Sequence, residues 1–469
     1  MADPAMFDDP GLPEPEPPHK VRRALTVLVL LALVVSMVFL TFVSGRGISL
    51  VTPRIQPTAP DVAASVAPSP NASRLAVVDA AGGLATTDAG GGSVVPYGDP
   101  GIVFAFPAWS PDGSRIAVVG RSADETDVYV FTVHGAGTAA TDPAIVYRSA
   151  DRPPFYLYWA PGGQRVGFLT TEPDGIALRL ASANASAPAV VVRTGAPIYW
   201  AWTADTDRLM VHTGADGPDG FLAEVGSDGT SVEPEVLAPG AFRAPALSAD
   251  GMFRAFVIPG VGTPAQVVVE ARDRSNPHAL DVFGAAAIDF GPGTDELGFI
   301  APAVVGRELA LPVGPLRVLD APSGRVRTLL AGSVVAFFWS PDGSMIAALE
   351  IAGTGDDQVA SAGTARLTAA VVPARPVATA GFAMRLVFVS VGSGTIRSQR
   401  PVAISDTFAQ QVVPFFDQYA LSHRLWSADG RSVVIPIVAD DGTDRLEVVR
   451  ADGTDARAVA GGVAAFWAP

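Results

Sequence analysis

The 469-residue sequence has no cysteine, a single lysine (Lys20) and five histidines. Without cysteine there is no disulfide, no zinc–thiolate site and no cysteine nucleophile. His19, His134, His212, His278 and His423 stand too far apart for an H-x-x-x-H metal pair. Charge is also scarce: 17% of residues are Asp, Glu, Lys or Arg, against about 25% in an average soluble domain. The balance is acidic, with a formal net charge of −15, which leaves no electrostatic footprint for nucleic acid. No G-x-S-x-G nucleophile elbow occurs. Gly90-Gly91-Gly92 neither follows a clear strand nor opens a helix, so it does not form a phosphate cradle. Asp440-Asp441-Gly442-Thr443-Asp444 lacks the full ligand pattern of a calcium loop. No catalytic set, metal or cofactor is expected.

Glycine (48) and proline (41) are abundant among short apolar runs. That density of helix breakers predicts turn-rich β-structure. One long apolar run departs from this, Ala24 to Val43, which is twenty residues without a charge. As a helix it would span about 30 Å, enough for a bilayer core. Lys20, Arg22 and Arg23 precede it, favouring a cytoplasmic N-terminus. A cleaved signal peptide is the competing reading, but Val43-Ser44-Gly45-Arg46 matches an A-x-A site poorly. The predicted order is a disordered cytoplasmic tail (1–23), a transmembrane signal anchor (24–43), a Pro-rich linker (44–68) and a β-domain (69–469). This places the protein in the cell membrane as a single-pass protein, with the β-domain extracytoplasmic.

The β-domain repeats. Its unit is an apolar strand ending in an aromatic residue, a Ser-Pro-Asp-Gly-like turn, and a second apolar strand. Clear copies begin at Trp109-Ser110-Pro111-Asp112-Gly113 and Trp339-Ser340-Pro341-Asp342-Gly343. Weaker ones begin at Trp159, Trp202, Leu247, Phe290 and Trp426, and Trp467 is the eighth anchor. Successive anchors lie 50, 43, 45, 43, 49, 87 and 41 residues apart, a spacing suited to four-stranded units. The 87-residue gap has one further strand pair, near 384–391 and 395–404, and reads as one unit with insertions. The chain ends on the first half of a unit, and its continuation stands at Ser69-Pro70-Asn71-Ala72-Ser73-Arg74-Leu75-Ala76. Pairing of these two ends would remove exposed sheet edges. The expectation is an all-β, closed β-propeller of about eight four-stranded blades, or seven. In the turns Pro presets φ, Asp bonds the backbone and Gly takes the left-handed conformation, so these residues read as scaffold.

The Trp-Ser-Pro-Asp-Gly-x-x-Ile-Ala signature resembles the WD40-like (PD40) repeat of TolB-type β-propellers. It is also similar to the propeller part of prolyl oligopeptidase-type and dipeptidyl-peptidase IV-type enzymes, here without the hydrolase domain. The resemblance covers about residues 69–469. It implies that connections between second and third strands and between successive units share one face. The long insertions 351–382 and 405–424 and the stretches 302–313 and 148–157 fall there. Candidate binding residues on that face are Arg148, Arg152, Arg307, Glu308, Phe416, Tyr419 and His423. Pro414 and Asp406 signal short helices, which place Phe415 and Tyr419 on one side at i,i+4. Two readings stay open for this segment: a cap that buries its aromatics, or an aromatic lip facing a ligand. The function expected is a membrane-tethered, non-catalytic module for a protein, peptide or glycan partner. The alternative is a glycosidase- or lyase-type enzyme using converging carboxylates.

Overall fold

The computed structural model describes residues 71–135, 142–204, 208–214, 221–230, 244–258, 264–302, 312–351 and 382–469. Strands dominate these residues, with two short α-helices and one 3-10 turn among them. The strands are short apolar runs such as β5 (Arg115–Arg121), whose five central residues are all buried. Continuous burial rather than alternation means that both faces of the sheet are covered.

Each repeat unit builds the same corner. In the first, β4 (Val103–Trp109) runs antiparallel to β5, placing Trp109 opposite Ile116. Between them Ser110 Oγ donates to Asp112 Oδ1 at 2.6 Å and accepts from the Arg115 N–H at 2.9 Å. Gly113 takes φ 65°, a conformation that resists a Cβ. The corner recurs at Ser340/Asp342, Ser248/Asp250 and Ser427/Asp429, with Oγ–Oδ1 distances of 2.6 Å each time. At Asp250 the Ser248 hydroxyl and the Met252 N–H hold the carboxyl below its usual range.

The anchor tryptophans join one unit to the next. Trp159 Nε1 donates to the Ala108 carbonyl at 2.9 Å. Trp109 donates to Phe466, Trp339 to Asp289 and Trp426 to Phe338, at 3.0, 3.2 and 2.9 Å. In every case the acceptor is the residue just before the preceding unit's anchor. The Trp202 and Trp467 indole nitrogens are buried with no acceptor among the described residues.

The ladders correct the expected closed propeller of about eight separate four-stranded blades. Strands group into six sheets, each open. Four have four strands: β1 (Arg74–Val78), β2 (Leu84–Asp88) and β3 (Val95–Tyr97) with β29 (Ala464–Trp467); β4 and β5 with β6 (Thr126–Thr132) and β7 (Ala144–Ser149); β8 (Pro154–Trp159) to β11 (Val190–Gly195); and β15 (Ala246–Leu247) to β18 (His278–Val282). One has three, β12 (Ile198–Trp202) to β14 (Phe221–Gly226), and one has ten, β19 (Ala287–Phe290) to β28 (Ala456–Gly461). The ten-stranded sheet arises because β22 (Val326–Trp339) continues without a break from the outer strand of one unit into the first strand of the next. Gly332 lies within this strand, where a Cβ would meet the movable end of the Glu350 side chain. A single pair, Ile404 opposite Ile437, then links β25 (Ile396–Ile404) to β26 (Ser432–Val438). The strand pair expected in the 87-residue gap is β24 (Phe382–Ser390) and β25. At the two ends of the described chain, β1 (Arg74–Val78) pairs with β29 (Ala464–Trp467), Leu75 lying opposite Trp467.

The expected membrane anchor and single-pass localisation are also corrected. Among the described residues no helix is long and apolar enough to cross a membrane. The two α-helices have six and five residues, about 9 and 8 Å, against a bilayer core of about 30 Å. Residues 1–68, which carried the tail, anchor and linker expectations, lie outside the described residues.

The indole bonds generate a comparison that cancels ring size. Trp426→Phe removes a donor from a buried carbonyl and should cost about 1–2 kcal/mol more than Trp202→Phe, where no bond is lost. Urea unfolding of the two variants checks this; equal midpoints would count against the bond as a unit-to-unit tie.

Candidate functional site

Ser405 follows β25 and caps helix α1 (Asp406–Gln411), its Oγ accepting from the Phe408 N–H at 3.3 Å. Pro414 has no N–H to continue the helix, and a 3-10 turn (Val413–Phe415) re-aims the chain. Helix α2 (Phe416–Ala420) then inserts among first strands of three units. It touches β12 (Ile198–Trp202), β19 (Ala287–Phe290) and β22. The break shifts the apolar side by one residue from the expected Phe415/Tyr419 pairing. Phe416 is buried against Phe337 and Phe338 at 5.1 and 6.0 Å, while Phe415 is half-buried beside Tyr199.

Tyr419 and His423 are buried as well. Tyr419 packs on Tyr156 at 5.1 Å, and His423 packs on Phe466 at 4.6 Å. The first strands bend to meet them. Phe106 and Tyr156 have φ 57° and 46° at register shifts in β4 and β8 (Pro154–Trp159). Such bulges re-aim a side chain, and the left-handed conformation costs about 1–3 kcal/mol at each. The compensation is a buried polar cluster. Tyr156 OH donates to the Gln418 carbonyl at 2.8 Å and lies 2.9 Å from Ser422 Oγ, which is 2.5 Å from His423 Nδ1. Gln418 pairs with the Trp200 backbone, accepting from its N–H at 3.0 Å and donating to its carbonyl at 2.9 Å. Asp417 accepts from the Ala244 N–H at 3.3 Å. Burial, then Asp417, pushes the Asp289 carboxyl well above its usual range. Burial pushes His423 down to about 3, a contact with the Phe106 backbone opposing it.

Arg148 lies near the end of β7 (Ala144–Ser149), opposite Asp127, and Arg152 on the connection from β7 to β8. They are 54% and 48% exposed. Arg148 Nε is 3.3 Å from both Glu125 and Asp127, and Arg152 Nε is 3.3 Å from Glu172. Glu172 also accepts from Arg179 at 2.7 Å, and the Arg179 guanidinium lies over the Tyr147 ring at 5.6 Å. Tyr147 OH closes the cluster by donating to the Arg152 carbonyl at 3.1 Å. Burial and Asp127 push the Tyr129 hydroxyl up to about 12. Arg148 and Arg152 thus stand in two neighbouring ion-pair sets, Arg148 with Glu125 and Asp127 and Arg152 with Glu172 and Arg179, while Phe416, Tyr419 and His423 come together in one buried plug. Arg307 and Glu308 lie outside the described residues, as does nearly all of the 351–382 insertion. Sequence reasoning missed Gln418, Asp417, Ser422 and Tyr156. Tyr156 had a usable signal, three residues before an anchor tryptophan, whereas Gln418 resembles any helical surface glutamine.

No protein-family model and no curated protein sequence matches the chain. Solved structures do resemble it. A prolyl endopeptidase is similar with 9% identity and a TM-score of 0.49, over 78% of this chain and 50% of that one. TolB from Acinetobacter baumannii is similar with 18% identity and a TM-score of 0.35, over 55% and 63%. An oligogalacturonate lyase solved in complex with manganese has 12% identity and a TM-score of 0.41, over 81% and 84%. The chain thus matches about half the length of the prolyl endopeptidase. The neighbours include TolB β-propellers and enzymes alike, and the likeness assigns neither role to this chain.

Two outcomes follow from the plug. Gln418→Ala would leave the Trp200 N–H and carbonyl without partners and should cost about 2–4 kcal/mol, read by chemical unfolding. Neutral burial of His423 stabilises the fold above the ordinary imidazole pKa of 6.5. That contribution is lost as pH falls, because the unfolded ring then binds a proton that the native ring does not. The loss should approach about 1.4 kcal/mol per pH unit between about pH 6 and 4. His423→Gln should flatten this part of the stability–pH curve; parallel curves would argue against it.

Proposed function

We propose that this chain is a non-catalytic recognition module, taking a protein, peptide or glycan on the face where successive units connect. The observation that carries this reading is the filled centre. Helix α2 occupies the space among the first strands, so a partner meets a rim of connections rather than a deep funnel. On that rim Arg148 and Arg152 are exposed yet held by several acids and by Tyr147, giving polar groups of fixed direction. Phe416, Tyr419 and His423 act below it, as the packing that holds the floor. Arg307 and Glu308 belong to the same proposed face.

The enzyme reading is favoured by one observation, the raised carboxyl of buried Asp289, to which Asp417 contributes after burial itself. Both carboxyls are buried, at 8% and 1% exposure, so substrate would reach them only if α2 moved. Recognition requires no such movement.

The test is charge reversal on the rim. Arg148→Glu with Arg152→Glu should abolish capture of partners by the purified domain, about a hundredfold or more where two charge-assisted contacts are lost. Arg450→Glu, at the end of a strand beside Asp452, should leave capture intact. Equal recovery with both variants would overturn the proposal.

A further inference from the structure

A cavity of about 470 Å³ lies away from the Arg148 cluster, between β25 and the strands β26, β27 (Asp444–Arg450) and β28 (Ala456–Gly461). It exists because two strands diverge. Among the described residues β25 and β26 pair only at Ile404 and Ile437. The next tie is Ser398 Oγ, which donates to the Ala451 carbonyl at 2.8 Å. The ties are six residues apart on β25, about 20 Å along a strand, and they close the slot at both ends. Between them Arg400 to Ala403 are paired with β24 on one side and, among the described residues, with no strand on the other.

The slot has an apolar floor and an acidic rim. Val402, Ala403, Ile437 and Ala458 contribute to the floor. Asp440, Asp441 and Glu447 stand at the rim against Arg400 and Arg445. Arg445 is taken by Asp441. Arg400 is ion-paired with Glu447, 3.1 Å from its Oε2. Asp440 is exposed, and Asp406 and Asp444 add two carboxyls near the Ile404–Ile437 end. Burial raises both of these carboxyls, and at Asp444 the neighbouring Asp406 adds to the rise.

We propose that this slot receives a lysine or arginine side chain presented by an extended segment of a partner protein. The aliphatic stem would lie on Val402, Ile437 and Ala458, as long cationic side chains cover apolar surface while their heads stay polar. The charged head would stand between Asp440 and Glu447. The segment's backbone can add to the open edge of β25, with Pro401 offering a carbonyl and no N–H. Charge complementarity selects a cationic residue: three rim carboxylates face two guanidinium groups, with two more carboxyls behind them. This proposal rests on the recognition reading above and assigns a partner class to a second place on the molecule.

The probe is a fluorescein-labelled hexapeptide, Ser-Val-Arg-Val-Thr-Ala, with Glu replacing Arg as control, measured by fluorescence anisotropy against the purified chain. The Arg peptide should bind about tenfold or more tightly than the Glu peptide, the factor equivalent to about 1.4 kcal/mol. Asp440→Asn with Glu447→Gln should erase that difference. Ala458→Phe should fill the slot and abolish binding; should that variant fail to fold, the neutralised pair still decides. No binding, equal binding of both peptides, or indifference to the rim substitutions would overturn the slot. Arg148→Glu with Arg152→Glu separates the two readings. Probe binding retained alongside lost partner capture supports two places, whereas loss of probe binding puts the peptide on the Arg148 cluster and removes this proposal.

Discussion

The structure depends on one bond repeated: an anchor indole N–H given to the carbonyl just before the previous anchor. It joins Trp109, Trp159, Trp339 and Trp426 to their preceding units. Apolar contact between sheets is non-directional and would allow them to slide. A buried carbonyl that must find one particular donor does not allow it, because leaving it unpaired costs about 1–3 kcal/mol. The indole fills the space between neighbouring units and fixes their register in the same step. The Ser-Pro-Asp-Gly corner supports this from outside the core, since it determines where the strand carrying the anchor ends.

Where the indole bond is missing, other groups join the units. Trp202 has no acceptor among the described residues, and there Gln418 holds both Tyr156 and the Trp200 backbone. Trp467 has none either, and its backbone N–H bonds instead to the Arg424 carbonyl at 2.8 Å. Leu247 carries no N–H in its side chain, and Asp417 meets the backbone of Ala244 at the start of that unit. Helix α2 is therefore a tie among units whose own anchors are incomplete. That explains why so short a helix buries Phe416, Asp417, Gln418 and Tyr419 together.

Much of the scaffold was legible because its determinants are local. Trp-Ser-Pro-Asp-Gly contains the turn, its Asp bond and its left-handed Gly within five residues, and the anchor spacing identified each unit. The closed set of equal blades was not legible, because sheet membership depends on backbone pairing between distant strands. Nothing in Val326–Trp339 announces one strand serving two units. The plug was half legible. Its aromatic content marked a helix that buries a face, but the break at Pro414 changed which residues form that face. Gln418 acquires its role through Tyr156 and Trp200, more than two hundred residues away in sequence.

The same reasoning restricts where recognition can occur. The seam between the sheet of β12 to β14 and that of β15 to β18 uses an ion network in place of an indole. Glu224, fully buried, lies 2.9 Å from Arg272 and 3.7 Å from Arg208. A buried charge of this kind is tolerated only while its partners stay in position, since losing one leaves the other uncompensated at about 3–5 kcal/mol. Groups so committed to joining units have no freedom to adapt to a ligand. The charges with such freedom are those on non-repeating connections and diverging edges, where one side faces solvent. Arg152 on the β7–β8 connection and Asp440 in the turn after β26 are exposed there, which is why the recognition reading looks to the parts of the chain that break the repeat.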